Sequence, residues 1–240
     1  MTGELIVEGV GFADGCGSAD LTLLGARQRR GLSECARFMV TAATAALQDA
    51  GITGIDFPIV TGSSFGEIQT AEALCEMRLS GDGRTSPARF SSSVHNTVTG
   101  LISIATGSNA PCTSVAADQA TVAAAILEAQ LQIWHGAQRV LVVVGDESVP
   151  QVFDPDFGYP PVAGALLLAP ASGQSDKPTL ELIRLASGDS QSESLAKINP
   201  SVPMCEIVNL LRHRRTCTLA LPGLDGCEWT IRIGAPGGNA

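Results

Sequence analysis

The sequence predicts an α/β protein of the layered-sheet type. Three observations carry this expectation. Strand-like and helix-like stretches alternate through the first 170 residues; the run RVLVVVG at 139–145 is continuously apolar, as in a strand buried on both faces; and the helix-like run after residue 120 is apolar on nearly every side for its first two turns. A bundle or a sandwich would not produce that alternation.

Taken in order, LIVEGVGF at 5–12 reads as a strand, and Ser33 to Ala50 as a helix for which Gly51 is a natural stop. PIVTGSS at 58–64 is a short strand running into a glycine-containing turn, and 67–79 has helical apolar spacing closed by Gly81. A helix is expected at 94–105, a strand of small residues at 113–117, a long helix at 120–135, and strands at 139–145 and 162–169. After Pro170 the texture changes. A turn at SGQSDKP, a strand TLELIRLA, a polar loop from Ser187 to Pro203, a short helix at 204–213 and a hairpin pairing CTLALP with EWTIRIG follow in turn. The expected organisation is one domain over 1–172, with 173–240 an extension that packs on it and covers or extends the sheet. The GAPGGNA tail is expected to fray.

Composition narrows the function. With 240 residues and 45% hydrophobic content a substantial core can form, while only 16% are charged, so part of the surface is neutral enough to face a partner. A net charge of −9 opposes nucleic acid and anionic membranes, and no apolar run approaches the ~20 residues that span a bilayer. MTGELIVEGV has no basic segment leading an apolar one, which reads as a cytoplasmic protein without a leader. Seven cysteines, an odd number without a C-x-x-C pair, read as reduced thiols that are mainly buried. His95, His135 and His213 lie far apart in sequence and give no zinc spacing, so no metal is expected.

One segment carries chemistry. Between Arg89 and Glu128 the single formally charged residue is Asp118, in a stretch rich in Ser, Thr, Asn and Ala. A strand of small residues feeding the amino end of a buried helix is a place to hold an anion or an activated thiolate, because the helix dipole favours negative charge there.

The run FSSSVHNTVTGLISIATGSNAPCTSVAADQATVAAAILEAQLQIWHGAQRVLVVVGDES resembles the heart of the β-ketoacyl synthases of the thiolase superfamily. In that family a G-P-S-x-x-x-x-T-A-C-S/T-S stretch precedes a buried helix, a glycine and a strand ending in G-G-x-E. Pro111, Gly136 and Val144–Glu147 take the places of the proline, the glycine and the strand end, and counting from them puts Gln119 at the position of the catalytic cysteine. The resemblance implies a thiolase-like fold, a mixed sheet with a buried central helix, truncated in the carboxy-terminal half. It is strong over about 87–150 and weaker over 1–86, where ARFMVTAATAALQDAGI is typical.

Gln119 decides what the resemblance implies about activity. A ketosynthase needs a thiolate to accept the acyl chain and two histidines to promote decarboxylation; an amide offers no nucleophile, and neither His135 nor the Arg212–Arg215 group matches the family's histidine motifs. Glutamine at this position marks chain-length factors. The S-V-H-N element at Ser93–Asn96 resembles the short ones of aryl-polyene-type synthases. The implied role is that of a non-catalytic subunit, forming a heterodimer with a full-length ketosynthase and bounding its acyl tunnel. Acyl carrier protein would be met indirectly, and no cofactor is needed. Implied interface or tunnel residues are Val94, His95, Asn96, Val98, Leu101 and Ile102, with Thr113 and Val115 on a strand that pairs across the two-fold axis.

Each assignment has a competing expectation. Gln119 is otherwise a polar residue at a helix start, with Asp118 as N-cap. Cys112 is a displaced nucleophile or a small buried thiol, and His95 a hydrogen-bonded structural residue. The apolar residues of 94–102 are otherwise helix-core packing. The Gly62–Gly66 turn lacks the lysine of a phosphate loop, and Arg27, Arg29 and Arg30 read as solvated surface. At the level of function the alternatives are a divergent acyltransferase or malonyl decarboxylase, and a homodimeric structural protein.

Overall fold

The computed structural model describes residues 3–15, 17–80, 86–153, 160–171, 175–185, 199–223 and 228–235. Its strands are β1 (Glu4–Asp14), β2 (Ile59–Gly62), β3 (Cys112–Val115), β4 (Val140–Asp146), β5 (Val162–Pro170), β6 (Thr179–Leu185), β7 (Cys217–Leu221) and β8 (Glu228–Gly234). Its helices are α1 (Glu34–Asp49), α2 (Ile68–Ser80), α3 (Pro87–Ser91), α4 (Thr97–Thr106), α5 (Thr121–Trp134) and α6 (Val202–Arg212). The strands form one sheet in the order β3-β2-β4-β5-β1-β6-β8-β7. β2 runs parallel to both β3 and β4, and every other pairing is antiparallel, so the sheet is mixed as expected.

The sequence patterns explain the layering. β4 (VLVVVGD) is buried at every position, because α1 and α4 cover one face of the sheet and α5 and α6 the other. On the α5 side, Ile126, Ala129 and Ile133 pack with Val140, Val142 and Val144; on the α1 side, Met39, Val40 and Ala43 pack with Leu141, Val143 and Leu167. The strands after Pro170 join the same sheet. Their inward residues Leu180, Leu182, Ile231 and Ile233 meet Ile207, Val208 and Leu211 of α6, while Glu181 and Arg232 pair at 2.7 Å on the opposite face.

α1 lies close on β1 because β1 carries glycines where the helix crosses it. A Cβ on Gly9 or Gly11 would collide with the backbone carbonyls of Ala46 and Ala42, and the helix answers with alanines at 42, 43 and 46. Ser33 starts the helix as N-cap, accepting the Ala36 N–H at 2.9 Å.

Several expectations need correction. The helix expected at 94–105 begins at Thr97, so Val94, His95 and Asn96 form the turn before it. α3 was invisible because five residues carry no period; Ser86 caps it and Pro87 opens it. Cys112 is exposed, since β3 is the edge of the sheet; among the described residues Cys35 is buried, Cys205 and Cys217 half-buried, and Cys75 exposed, so the thiols are not mainly buried. The polar loop falls largely at 186–198, and the tail at 236–240, outside the described residues.

Gly11→Ala should lower stability by about 3 kcal/mol, read as a shift of the urea midpoint, because neither the Ala42 carbonyl nor the paired strand can retreat. An unchanged midpoint would mean that α1 does not sit as closely on β1 as the coordinates have it.

Candidate functional site

The carboxyl ends of the parallel strands β2 and β4 open at one edge of the sheet, the usual place for a crevice in an α/β protein. β4 ends there in Asp146 (1% exposed), followed directly by Glu147 (0%), and both carboxylates are buried. Asp146 Oδ1 accepts the Ser63 hydroxyl at 2.6 Å and the Ser64 and Phe65 N–H groups at 2.9 and 3.1 Å. Its Oδ2 accepts the Ser201 hydroxyl at 2.6 Å, and Asn199 Nδ2 donates to its carbonyl at 3.3 Å. Burial raises the Asp146 carboxyl above its ordinary range, and these donors pull it partly back.

The turn at 63–66 that Asp146 holds reaches the amino end of α5. Ser64 Oγ donates to the Asp118 carbonyl at 2.7 Å, and Thr121 Oγ1 donates to the same oxygen at 2.7 Å. The Ala117 N–H donates to Thr121 Oγ1 at 3.0 Å. Asp118, with φ of 49°, is a non-glycine residue in the left-handed region, and its pinned carbonyl is what holds it there. It does not cap α5 with its side chain, contrary to expectation; a 3-10 turn at Asp118–Ala120 leads into the helix instead. Gln119 is the half-buried middle residue of that turn, at the helix mouth.

His95 joins this group. Its ring lies against Gly66, where a Cβ would meet ring atoms at 3.1 Å, and the positive φ of 62° at Gly66 also favours glycine. His95 and Asn96 are exposed and Val94 is 39% exposed. Leu101 is partly buried against the α1-side core, whereas Val98 and Ile102 lie inside it. For these last two, helix packing replaces the expected tunnel-facing role. Thr113 and Val115 are half-buried on edge strand β3. A chain of hydroxyls ties that strand to its neighbours: Thr61 to Ser114 at 2.9 Å and Ser114 to Thr99 at 3.1 Å.

The titratable groups are distributed as follows. Cys35 is buried near Ser63, and burial first, then Glu67, Asp146 and Glu147, push its thiol far up, which keeps it protonated and unreactive. His135 sits past the carboxyl end of the 14-residue α5, roughly 20 Å from Gln119 along the helix. His213 follows the carboxyl end of α6, whose amino end is the one held by Asp146. The three histidines therefore do not converge. Among the described residues no cluster of three or more His, Cys, Asp or Glu is placed to hold a metal ion. No helix among them is long and apolar enough to cross a membrane.

Arg27 and Arg30 are exposed, as expected, and with Arg89, Leu32, Leu101 and Ile104 they line a groove of about 700 Å³. Sequence reasoning missed Ser63, Asp146 and Ser201 as one network, although adjacent carboxylates closing an apolar strand were a usable signal.

The family described as beta-ketoacyl synthase, N-terminal domain, matches residues 10–229. Among solved structures, "Ketosynthase (ApeO) in Complex with its Chain Length Factor (ApeC) from Xenorhabdus doucetiae" is similar at 21% identity and TM-score 0.72, over 97% of this chain and 99% of that one. "The ishigamide ketosynthase/chain length factor" is similar at 12% identity and TM-score 0.73, over 98% and 99%. A type II polyketide synthase structure, "AntDE:AntF (apo): type II PKS acyl-carrier protein in complex with its ketosynthase bound to the hexaketide", is similar at 14% and 0.76, over 97% and 99%. At these identities the likeness is one of fold, and the fold is thiolase-like. No curated protein matches the sequence.

Asp146→Ala should cost about 3 kcal/mol in chemical denaturation, because it strands the donors of the 63–65 turn and Ser201, while Ser201→Ala should cost about 1 kcal/mol. Equal small losses would show that the network is solvated rather than buried.

Proposed function

The chain belongs to the β-ketoacyl synthase family, and from that premise we propose that it is a non-catalytic chain-length factor, the partner of an active ketosynthase. The observation that carries this reading is Gln119 at the mouth of α5, where the family's thiol would stand. An amide there forms no thioester. Cys35, buried beside Ser63 and Glu147, is held protonated, and among the described residues His95, His135 and His213 do not converge.

Three features support a role at an interface. β3 ends the sheet, leaving one side of Cys112–Val115 unpaired among the described strands and open to antiparallel pairing with the partner's equivalent strand. Its small side chains suit close backbone approach. Beside it, Val94, His95, Asn96 and Leu101 would face the partner's acyl tunnel, and bulk at such positions would set how long a chain fits. The similar structures support this pairing by what they contain, namely ketosynthases with chain-length factors and, in one case, an acyl carrier protein.

On this reading the chain works in the cytoplasm. It needs no cofactor, and it meets carrier protein through the ketosynthase, which supplies the main docking surface. The S-V-H-N element supports an aryl-polyene product class.

Co-expression with a ketosynthase from the same organism should give a one-to-one complex by native mass measurement. Thr113→Lys, a charge placed on the edge strand, should weaken that complex at least about tenfold and leave the isolated chain folded. The purified complex should carry acyl adducts on the ketosynthase alone, and Gln119→Cys should restore no condensation by the isolated chain. Turnover of malonyl-carrier protein by the isolated chain would favour an acyltransferase or decarboxylase instead. A stable homodimer that ignores the ketosynthase would favour a structural protein.

A further inference from the structure

The first turns of α1 and α2 meet over carboxylates that the proposed function does not use. Glu147 caps both helices at once: Oε2 accepts the Cys35 N–H at 3.1 Å and Oε1 accepts the Gln69 N–H at 2.9 Å. Both oxygens of Glu147 are thereby engaged, as suits a buried carboxylate at helix amino termini. Glu67, immediately before α2, is buried in the same place at 3% exposure, and neither of its carboxyl oxygens has a hydrogen-bond partner among the described residues. A buried acid without donors is expensive to ionise, and the more so beside a second carboxylate.

The groups acting on Glu67 are Glu147, the residue that follows β4, and the Ser33 hydroxyl at the α1 cap, and Glu67 in turn acts on the Cys35 thiol of α1. Asp146 at the end of β4 and Glu34 of α1 act on Glu147, and the Gln69 amide of α2 donates to Glu34 Oε2 at 3.2 Å. Among the described residues the cation lining the adjoining cavity of about 260 Å³, with Glu34, Gln69 and Glu147, is Arg89 of α3, which donates to Met77 Sδ at 3.6 Å.

We propose that Glu67 is a proton-operated latch. With its proton on, Glu67 is a neutral neighbour and Glu147 keeps both helix caps; with its proton off, repulsion between the two carboxylates loosens the first turns of α1 and α2 and the adjoining 63–66 turn that supports the mouth of α5. The latch is independent of the chain-length-factor reading, since it is built from groups that touch neither Gln119 nor the β3 edge.

Burial lifts the Glu67 carboxyl to about 7. The Ser33 hydroxyl, near but outside hydrogen-bond geometry, pulls it partly back, and the Glu147 charge pushes it up again. Glu147 is itself raised, chiefly by burial and further by the charges of Glu34 and Asp146, while the Gln69 and Cys35 N–H groups pull it partly back. The folded chain therefore keeps a proton that the unfolded chain releases near the ordinary 4.5, and the associated stability is complete below that value and lost as pH rises through about 7.

The test is thermal unfolding of the whole chain and of Glu67→Gln between about pH 5 and about pH 8.5, with amide exchange at Cys35 and Gln69 corrected for intrinsic rates. The wild-type midpoint should fall by roughly 5 °C more than that of the variant, and its two capped amides should exchange at least about tenfold faster at the alkaline end. Parallel pH dependences of the midpoint, or capped amides whose protection is the same at both ends, would overturn the latch. If the variant does not fold, a carboxyl-carbon titration assigned to Glu67 in the wild type decides: a midpoint near neutrality supports the latch, and one in the ordinary glutamate range ends it.

Discussion

Two adjacent carboxylates at the end of a strand buried on both faces organise this molecule. Burying Asp146 and Glu147 without partners would cost several kcal/mol each, enough to undo a domain of ordinary stability. Their donors must therefore arrive together. They come from the 63–65 turn after β2, from Ser201 at the start of α6, and from the first turns of α1 and α2. The interior of the sheet, by contrast, is held by apolar contact that specifies burial but little direction. Direction at the functional edge comes from the hydrogen bonds to these two side chains.

The geometry of the helix mouth follows from that constraint. Because Asp146 fixes the turn, Ser64 is in place to hold the Asp118 carbonyl, and the held carbonyl supports the left-handed backbone at Asp118. The next residue is then presented at the start of α5 in a defined position. That residue is Gln119, and the contacts that fix the turn are made by Ser64, Thr121 and the Asp118 carbonyl rather than by its own carboxamide.

The sequence disclosed what depends on period and missed what depends on distant partners. β4, β5, α1 and α5 were legible because their apolar patterns are long and their ends are marked by Ser33, Gly51 and Gly136. The start of α4 was misplaced because Val94–Asn96 continue its apolar texture without its hydrogen bonds. Val98 and Ile102 were given to an interface because spacing cannot say which side of a helix meets a core. Cys112 was assigned inside because nothing local says that β3 is an edge. The links from Asp146 to Ser63 and Ser201 span 83 and 55 positions, beyond any local signal. Family resemblance faded after about residue 150, yet the family match runs to 229 and the later strands continue the same sheet.

The uncharged segment around α4 takes on its meaning last. Phe90 of α3 is 64% exposed, and Ile104 of α4, the helix that packs against edge strand β3, is 77% exposed. In water, exposed apolar side chains near an unpaired strand invite indiscriminate association, and proteins ordinarily blunt such edges with charge, which this segment withholds. Catalysis would not require that exposure, because a reacting group needs a pocket rather than a bare edge. Specific association does require it, since strand pairing supplies the direction and the small side chains of β3 admit the close approach. An edge without lysine and a β3 of small side chains both fit a surface that pairs with another chain, as the proposed heterodimer requires.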